Sequence, residues 1–220
     1  YFDPHAILYA LTEQYGWRSG VLIDEAHNLI DRCRDMYSMT LSQQAIREVS
    51  PLVQSGVRQT LSDLDRCLDN LAALQAERDP KAPWPRYPDE PPRELRGLLQ
   101  QAIKRMGRWF ADDPRHASGP VLELYFDLIA LLRLLERYAA HSFCEIGYSG
   151  ARSRDLFGEP LCSFSVVNVV PAPHIVDRFR AAHGVVAFSA TLAPMHYHQL
   201  MLGLPEDTDC CDVPSAFSGD

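Results

Sequence analysis

Val21-Leu22-Ile23-Asp24-Glu25-Ala26-His27-Asn28 runs three β-preferring apolar residues straight into an acidic pair, then Ala-His, then the apolar-periodic start of a helix. That order suits a buried parallel strand ending at a ligand site. In an open α/β sheet, ligands sit beyond the carboxyl ends of the strands, where Asp24 and Glu25 would lie. A strand-end Asp can hold the Mg²⁺ of a nucleoside triphosphate, and a neighbouring Glu can orient or deprotonate the attacking water. The plainer reading is a strand-to-helix turn whose acids only favour the helix N-terminus. Average residue usage yields D-E-A-H in about one chain of this length in a thousand. Together with the strand in front of it, this favours the nucleotide reading.

Outward from that stretch, the chain opens with an amphipathic helix over residues 4–15, with Pro4 near its first turn. Gly16 to Gly20 turns into the strand Val21–Asp24, and a helical run follows His27 before the chain leaves the compact unit over Met36–Leu41. From there to about residue 142 the pattern is almost wholly helical. A short helix is expected over 42–54. Val57, Leu61, Leu64, Leu68, Leu71 and Leu74 then form a narrow apolar seam. Six prolines between Asp79 and Pro92 make a non-helical connection. A third helix covers about Arg93–Phe110. A fourth runs from the cap candidate Ser118 to about Ala140, apolar on nearly every side except Glu123, Asp127, Arg133 and Arg137, as the centre of a bundle would be.

Strand signals return at Phe143–Tyr148 and Leu161–Val170, separated by a polar turn at Arg152–Glu159. A short helix is expected over Ile175–Ala182. Val185-Val186-Ala187-Phe188 is a second buried strand, entering Ser189-Ala190-Thr191-Leu192. Met195–Met201 reads as a helix stopped by Gly203, followed by a tail with five acids and no base from Glu206 onward. No internal repeat is present. The fold class expected is mainly α with an α/β part: a helical bundle inserted into an incomplete parallel sheet. The boundaries are 1–34, 35–150 and 151–220.

At 220 residues, with 46% hydrophobic and 23% charged residues, the chain can bury a sizeable core as one or two domains. No apolar run approaches membrane-spanning length and no secretory signal precedes the first helix, so no membrane is expected and the location expected is cytoplasmic. The opening at Tyr1, without Met, suggests a segment of a longer protein. A net charge of −8 disfavours a surface that binds nucleic acid everywhere but leaves room for a local basic track. Cys33, Cys67, Cys144, Cys162, Cys210 and Cys211 show no C-x-x-C spacing and read as reduced thiols. Cys33 sits in a charged segment with no base to activate it.

S-A-T at 189–191 is a weak signal alone, more often an ordinary strand end. It sharpens beside D-E-A-H some 165 residues earlier. V-L-I-D-E-A-H-N-L at 21–29 resembles motif II, and V-V-A-F-S-A-T-L-A-P at 185–194 resembles motif III, of the superfamily 2 helicases of the XPD/DinG type, the iron–sulfur DNA helicases. V-N-V-V-P-A-P at 167–173 and V-P-S-A-F at 213–217 are weaker matches; the latter has Ala where the family pattern has Pro. The resemblance implies a RecA-like first motor domain, with the helical insert as its Arch domain. It implies that Asp24 helps hold Mg²⁺ with ATP, that Glu25 activates the hydrolytic water, and that His27 couples the nucleotide to Ser189, Ala190 and Thr191. It further implies ATP-driven translocation on single-stranded or forked DNA, 5′→3′ in DinG-like members.

No G-x-x-x-x-G-K-[ST] occurs, since the only lysines are Lys81 and Lys104. By the resemblance, the phosphate loop and the 4Fe–4S cysteines lie upstream of Tyr1, and the second motor domain lies beyond Asp220. The chain alone is then expected to be inactive. Arg96, Lys104, Arg105 and Arg108 form a candidate phosphate track for single-stranded DNA, with Trp109 or Tyr87 as stacking platforms, against the alternative of a solvated helix face. His196-x-His198 diverges on a helix and makes a poor metal pair. No H-E-x-x-H or G-x-S-x-G pattern supports a protease or esterase. The rival reading is a helical protein-interaction module whose parent motor is degenerate or absent.

Overall fold

The computed structural model describes residues 1–4, 6–78, 80–81, 83–148 and 161–214. The chain forms two compact units, one from Tyr1–Met36 with Val170–Asp220, the other from Tyr37–Val169.

In the first unit, α1 (Ile7–Gln14) precedes β1 (Gly20–Ile23), a 3₁₀ turn at Ala26–Asn28 and α2 (Leu29–Met36). When the chain returns it adds the last elements of the unit. The second unit holds β2 (Met39–Ser42), α3 (Gln43–Val49), α4 (Ser55–Arg78), α5 (Arg93–Asp112), α6 (Gly119–Glu136), β3 (Ser142–Tyr148) and β4 (Cys162–Asn168). The first unit then resumes with α7 (Ala172–Ala181), β5 (Gly184–Ala187) and α8 (Met195–Leu202). The polar turn expected at Arg152–Glu159 lies outside the described residues.

The second unit is less purely helical than its pattern suggests. β2, β4 and β3 form an antiparallel sheet in that order, with Leu41 opposite Phe164 and Ile146 opposite Phe164 from the other side. Residues 36–41, read as an exit from a compact unit, instead supply a strand. Met-Thr-Leu-Ser has little intrinsic strand preference; pairing supplies it, with Leu41 only 1% exposed and Thr40 Oγ1 2.9 Å from Ser165 Oγ. β4 was expected in the returning α/β part, because its near-continuous apolar run looks like a parallel strand. It is the central strand here, with Cys162, Phe164 and Val166 packed into the helical core and Ser163, Ser165 and Val167 alternating onto the other face. The insert therefore extends to Val169 rather than to residue 150.

The α4 seam is observed from Val57 to Leu68; Leu71 is partly buried and Leu74 is 55% exposed. Val57, Leu61, Leu64 and Leu68 are buried against Leu95, Leu99 and Met106 of α5 and Leu124, Leu128 and Leu131 of α6 in one core. α6 is buried along Val121, Leu124, Leu128, Leu131 and Leu135 but not all round, as Phe126 is 56% exposed. Its neighbours α5, α3 and β2 leave one face open. Ser118 holds the N-cap position, yet its hydroxyl donates to the Arg115 carbonyl and does not cap the helix. The proline-rich connection adds a single rung to the β3 edge: Arg86 N–H donates to Ile146 O at 2.7 Å, and Ile146 N–H donates back at 2.8 Å.

Gly203 ends α8 as the sequence suggests, at φ +67°. A side chain there would also meet Ala172 Cβ at 3.1 Å, so both backbone conformation and helix packing demand glycine.

Candidate functional site

β1 and β5 pair in parallel, with Val21 opposite Val185 and Ile23 opposite Ala187. Two backbone bonds carry the pairing past the strand ends. Phe188 N–H donates to Ile23 O at 3.0 Å, and Ala26 N–H donates to Phe188 O at 3.1 Å. The second bond seats Ala26, which is wholly buried, and fixes the turn that carries the acidic pair beside Ser189.

Glu25 has φ +48° and ψ +45°, the one non-glycine positive φ among the described residues. A left-handed conformation at a residue with a Cβ costs about 1–2 kcal/mol, which the ladder bond at Ala26 offsets. Asp24 Oδ1 accepts from the Glu25 N–H at 2.8 Å, which pins that carboxylate. Both acids are exposed.

His27, Glu25 and Ser189 meet at the strand ends. His27 Nδ1 lies 2.7 Å from Ser189 Oγ and 3.2 Å from Glu25 Oε2. Ser189 Oγ lies 3.3 Å from Glu25 Oε2 and accepts from the Thr191 N–H at 3.2 Å. The carboxylate fixes the direction of the network. A bare lone pair on Nδ1 would face Glu25 unfavourably, so Nδ1 carries the proton and donates to Ser189. Ser189 then accepts twice and spends its single proton on Glu25, using all of its bonding capacity. The serine thereby reads both the carboxylate and the imidazole.

The structure thus brings Asp24, Glu25, His27 and Ser189 together. Thr191 joins through its backbone N–H; its hydroxyl is not part of the network, and Ala190 is exposed beside it. His198 was missed. It is buried on α8 with its Nδ1 unbonded among the described residues, whereas His196 faces solvent. Burial, and then the nearby charge of His27, hold the His198 pKa below its ordinary 6.5. An apolar i, i+3 match on α8 was its sole sequence signal, shared by any core residue.

A neutral buried histidine has a signed consequence. The unfolded chain protonates His198 at its ordinary pKa while the folded chain resists, so stability falls as pH drops below about 6.5 toward the depressed folded value. His198→Leu should flatten that part of a stability–pH curve measured by urea denaturation between pH 7 and pH 5. An unchanged slope would place the acid sensitivity elsewhere, His141 being shifted in the same direction by burial.

On α5 the four candidate DNA contacts separate. Arg105 donates from Nη1 to Gly56 O and to Thr60 Oγ1, both at 2.8 Å, so it ties α5 to the start of α4. Arg96 pairs with Glu136 at 3.7 Å, while Lys104 and Arg108 stand exposed. Trp109 is 8% exposed and lies flat on His116 at 4.2 Å, so it belongs to the core and offers no base a platform. Tyr87 is exposed. Cys33 is fully buried, and burial pushes its thiol up to about 11; the Cys162 thiol is pushed up to about 12. Neither is a thiolate at neutral pH.

Mg²⁺ with a bound nucleotide takes one or two carboxylates and fills its remaining positions with phosphates and water. An exposed strand-end Asp24, with one oxygen engaged by the Glu25 N–H, fits that requirement. Among the described residues no three His, Cys, Asp or Glu side chains gather as an all-protein metal site. Among them, too, no helix is long and apolar enough to cross a membrane. Compared with known proteins, the chain matches no protein-family model, and a search of curated proteins returns no match.

Proposed function

We propose that this chain is the motif II to motif III portion of an ATP-dependent DNA helicase resembling the XPD/DinG type, with residues Tyr37–Val169 as its Arch-like insert. One observation carries the reading: Glu25, His27 and Ser189 share a single hydrogen-bond network at adjoining ends of two parallel strands, though some 160 residues separate them in the chain. A structural turn needs no such network. A motor whose water-activating acid must report to the rest of the protein does need one.

In this reading Asp24 holds the nucleotide's Mg²⁺, which would stabilise charge on the phosphates. Glu25 takes a proton from the attacking water, and Ser189 registers whether Glu25 is charged. His27 follows both, because its Nδ1 stands 2.7 Å from Ser189 Oγ and 3.2 Å from the Glu25 carboxylate. The exposed even-numbered face of the small sheet, with Leu22 76% and Val186 56% exposed, supports further covering chain in the parent protein, since parallel sheets are normally covered on both faces. Lys104 and Arg108 remain candidates for the DNA backbone.

Ser189→Ala in the complete protein provides the test. DNA-stimulated ATP turnover and strand separation should fall about tenfold or more, from loss of one charge-assisted bond, while nucleotide affinity stays within twofold. Unchanged unwinding would remove the coupling role and move the balance toward an interaction module.

A further inference from the structure

At the opposite ends of β1 and β5, away from the acidic pair, the first unit carries a patch that the helicase reading does not use. Gly16, at φ +59°, ends the turn after α1, and Trp17 N–H donates to Thr12 O at 3.0 Å. That turn sets Tyr15 and Trp17 side by side, with ring centroids 5.7 Å apart and planes 20° from parallel. Both are open to solvent, Tyr15 at 61% and Trp17 at 53%. Singly exposed aromatics are ordinary, but a pre-formed exposed stack is a surface on which another flat ring can continue.

Cations flank the stack. Arg18 Nη2 donates to His183 Nε2 at 2.9 Å, and His183 N–H donates to Ser19 O at 2.8 Å, so the segments entering the two strands are joined. Arg180 is exposed and only loosely paired with Asp177 at 3.5 Å. From Gln14 to Gly20 and from Arg180 to Gly184 there are Arg18, Arg180 and His183 and no acid, in a chain of net charge −8. Nothing lies within 4 Å of where a Cβ would stand on Gly16, Gly20 or Gly184, so bare backbone surrounds the patch.

We propose that this patch binds single-stranded nucleic acid, with one or two bases continuing the Tyr15–Trp17 stack and a phosphate on Arg18. Stacked rings with an adjacent guanidinium match the two things every single strand offers, a π-face and a negative backbone. An apolar or acidic protein segment is the competing occupant. The site is distinct from the acidic-pair end of the strands and does not depend on ATP chemistry.

The test titrates the 220-residue chain into fluorescein-labelled oligodeoxythymidylate at several salt concentrations, following anisotropy and tryptophan emission together. Binding should quench part of the emission. Trp17→Leu and Tyr15→Ala should each weaken affinity about 5- to 150-fold, and Arg18→Gln should lower the log–log salt slope by about 0.7. All three side chains are exposed, and unchanged far-UV circular dichroism verifies folding for each variant. The proposal is overturned if the chain binds no oligonucleotide at 50 mM salt, or if the aromatic variants bind within twofold of wild type. Loss of binding only on Lys104→Gln with Arg108→Gln would also overturn it. Any of these results leaves the ATP-turnover reading of Glu25 and Ser189 standing.

Discussion

If the proposed motor is right, Glu25→Gln in the complete protein should lower steady-state ATP turnover by about 10²–10⁴-fold, the range over which a positioned general base acts, with nucleotide affinity nearly unchanged. The substitution is close to isosteric. The side-chain oxygen can still accept from Ser189, Asp24 keeps its backbone bond, and Ala26 N–H keeps Phe188 O. What disappears is the charge proposed to accept the water's proton, together with the charge beside His27 Nδ1. Rapid-quench and steady-state assays beside a nucleotide-binding titration separate the two effects. Turnover retained within threefold would remove Glu25 from the chemistry. A matching loss of nucleotide affinity would instead assign it to holding the ligand.

Gln43→Leu destabilises the insert by about 2–4 kcal/mol, from one buried donor left unpaired and two bonds lost. Gln43 is 1% exposed at the first position of α3 and joins three elements. Its Nε2 donates to Asp69 Oδ1 at 2.6 Å and to Asp65 O at 3.1 Å on α4, while its Oε1 accepts from the Cys162 N–H at 2.6 Å on β4. Leucine fills similar space but satisfies none of these groups. The Cys162 N–H, inside the unit, has no water to turn to; the Asp69 carboxylate, more than half exposed, does. Arg47, whose Nε reaches both Asp65 oxygens at 3.0 and 3.1 Å, remains to hold α3 on α4, so the unit should still fold. Urea denaturation should show a lower midpoint at an unchanged slope. A shift below about 0.5 kcal/mol would mean that the glutamine's bonds are replaced at no cost. Gln43→Glu is the sharper companion: it keeps the acceptor for Cys162 but sets a second carboxylate against Asp69, so its loss should shrink as pH falls and one of the two protonates.

Much of the candidate site could be read before any coordinates. Three apolar residues running into an acidic pair identify a strand end, although the burial expected of both strands is not observed, Leu22 being 76% and Val186 56% exposed. Glu25 and Ser189 follow from that logic and His27 from the family resemblance, and β1 and β5 stop within a residue of where the pattern says. The α4 seam was equally legible, since helical periodicity is local and survives any tertiary arrangement.

Other features were not legible, and each has one physical cause. The hydroxyl of Thr191 looked equivalent to that of Ser189, yet only the backbone turn after β5 decides which of them reaches Glu25. Arg105 has the same charge as Arg108, but a packed neighbour claims it through Gly56 and Thr60.

Local sequence thus established which segments are helix or strand and where an acid-bearing strand ends, because periodicity and strand-end chemistry act over a few residues. Tertiary contacts alone made Met39–Ser42 a strand, moved Cys162–Asn168 into the insert's antiparallel sheet, and buried His198 and Gln43. Strand pairing and polar burial depend on partners outside the local window, as far as 125 residues away between Thr40 and Ser165.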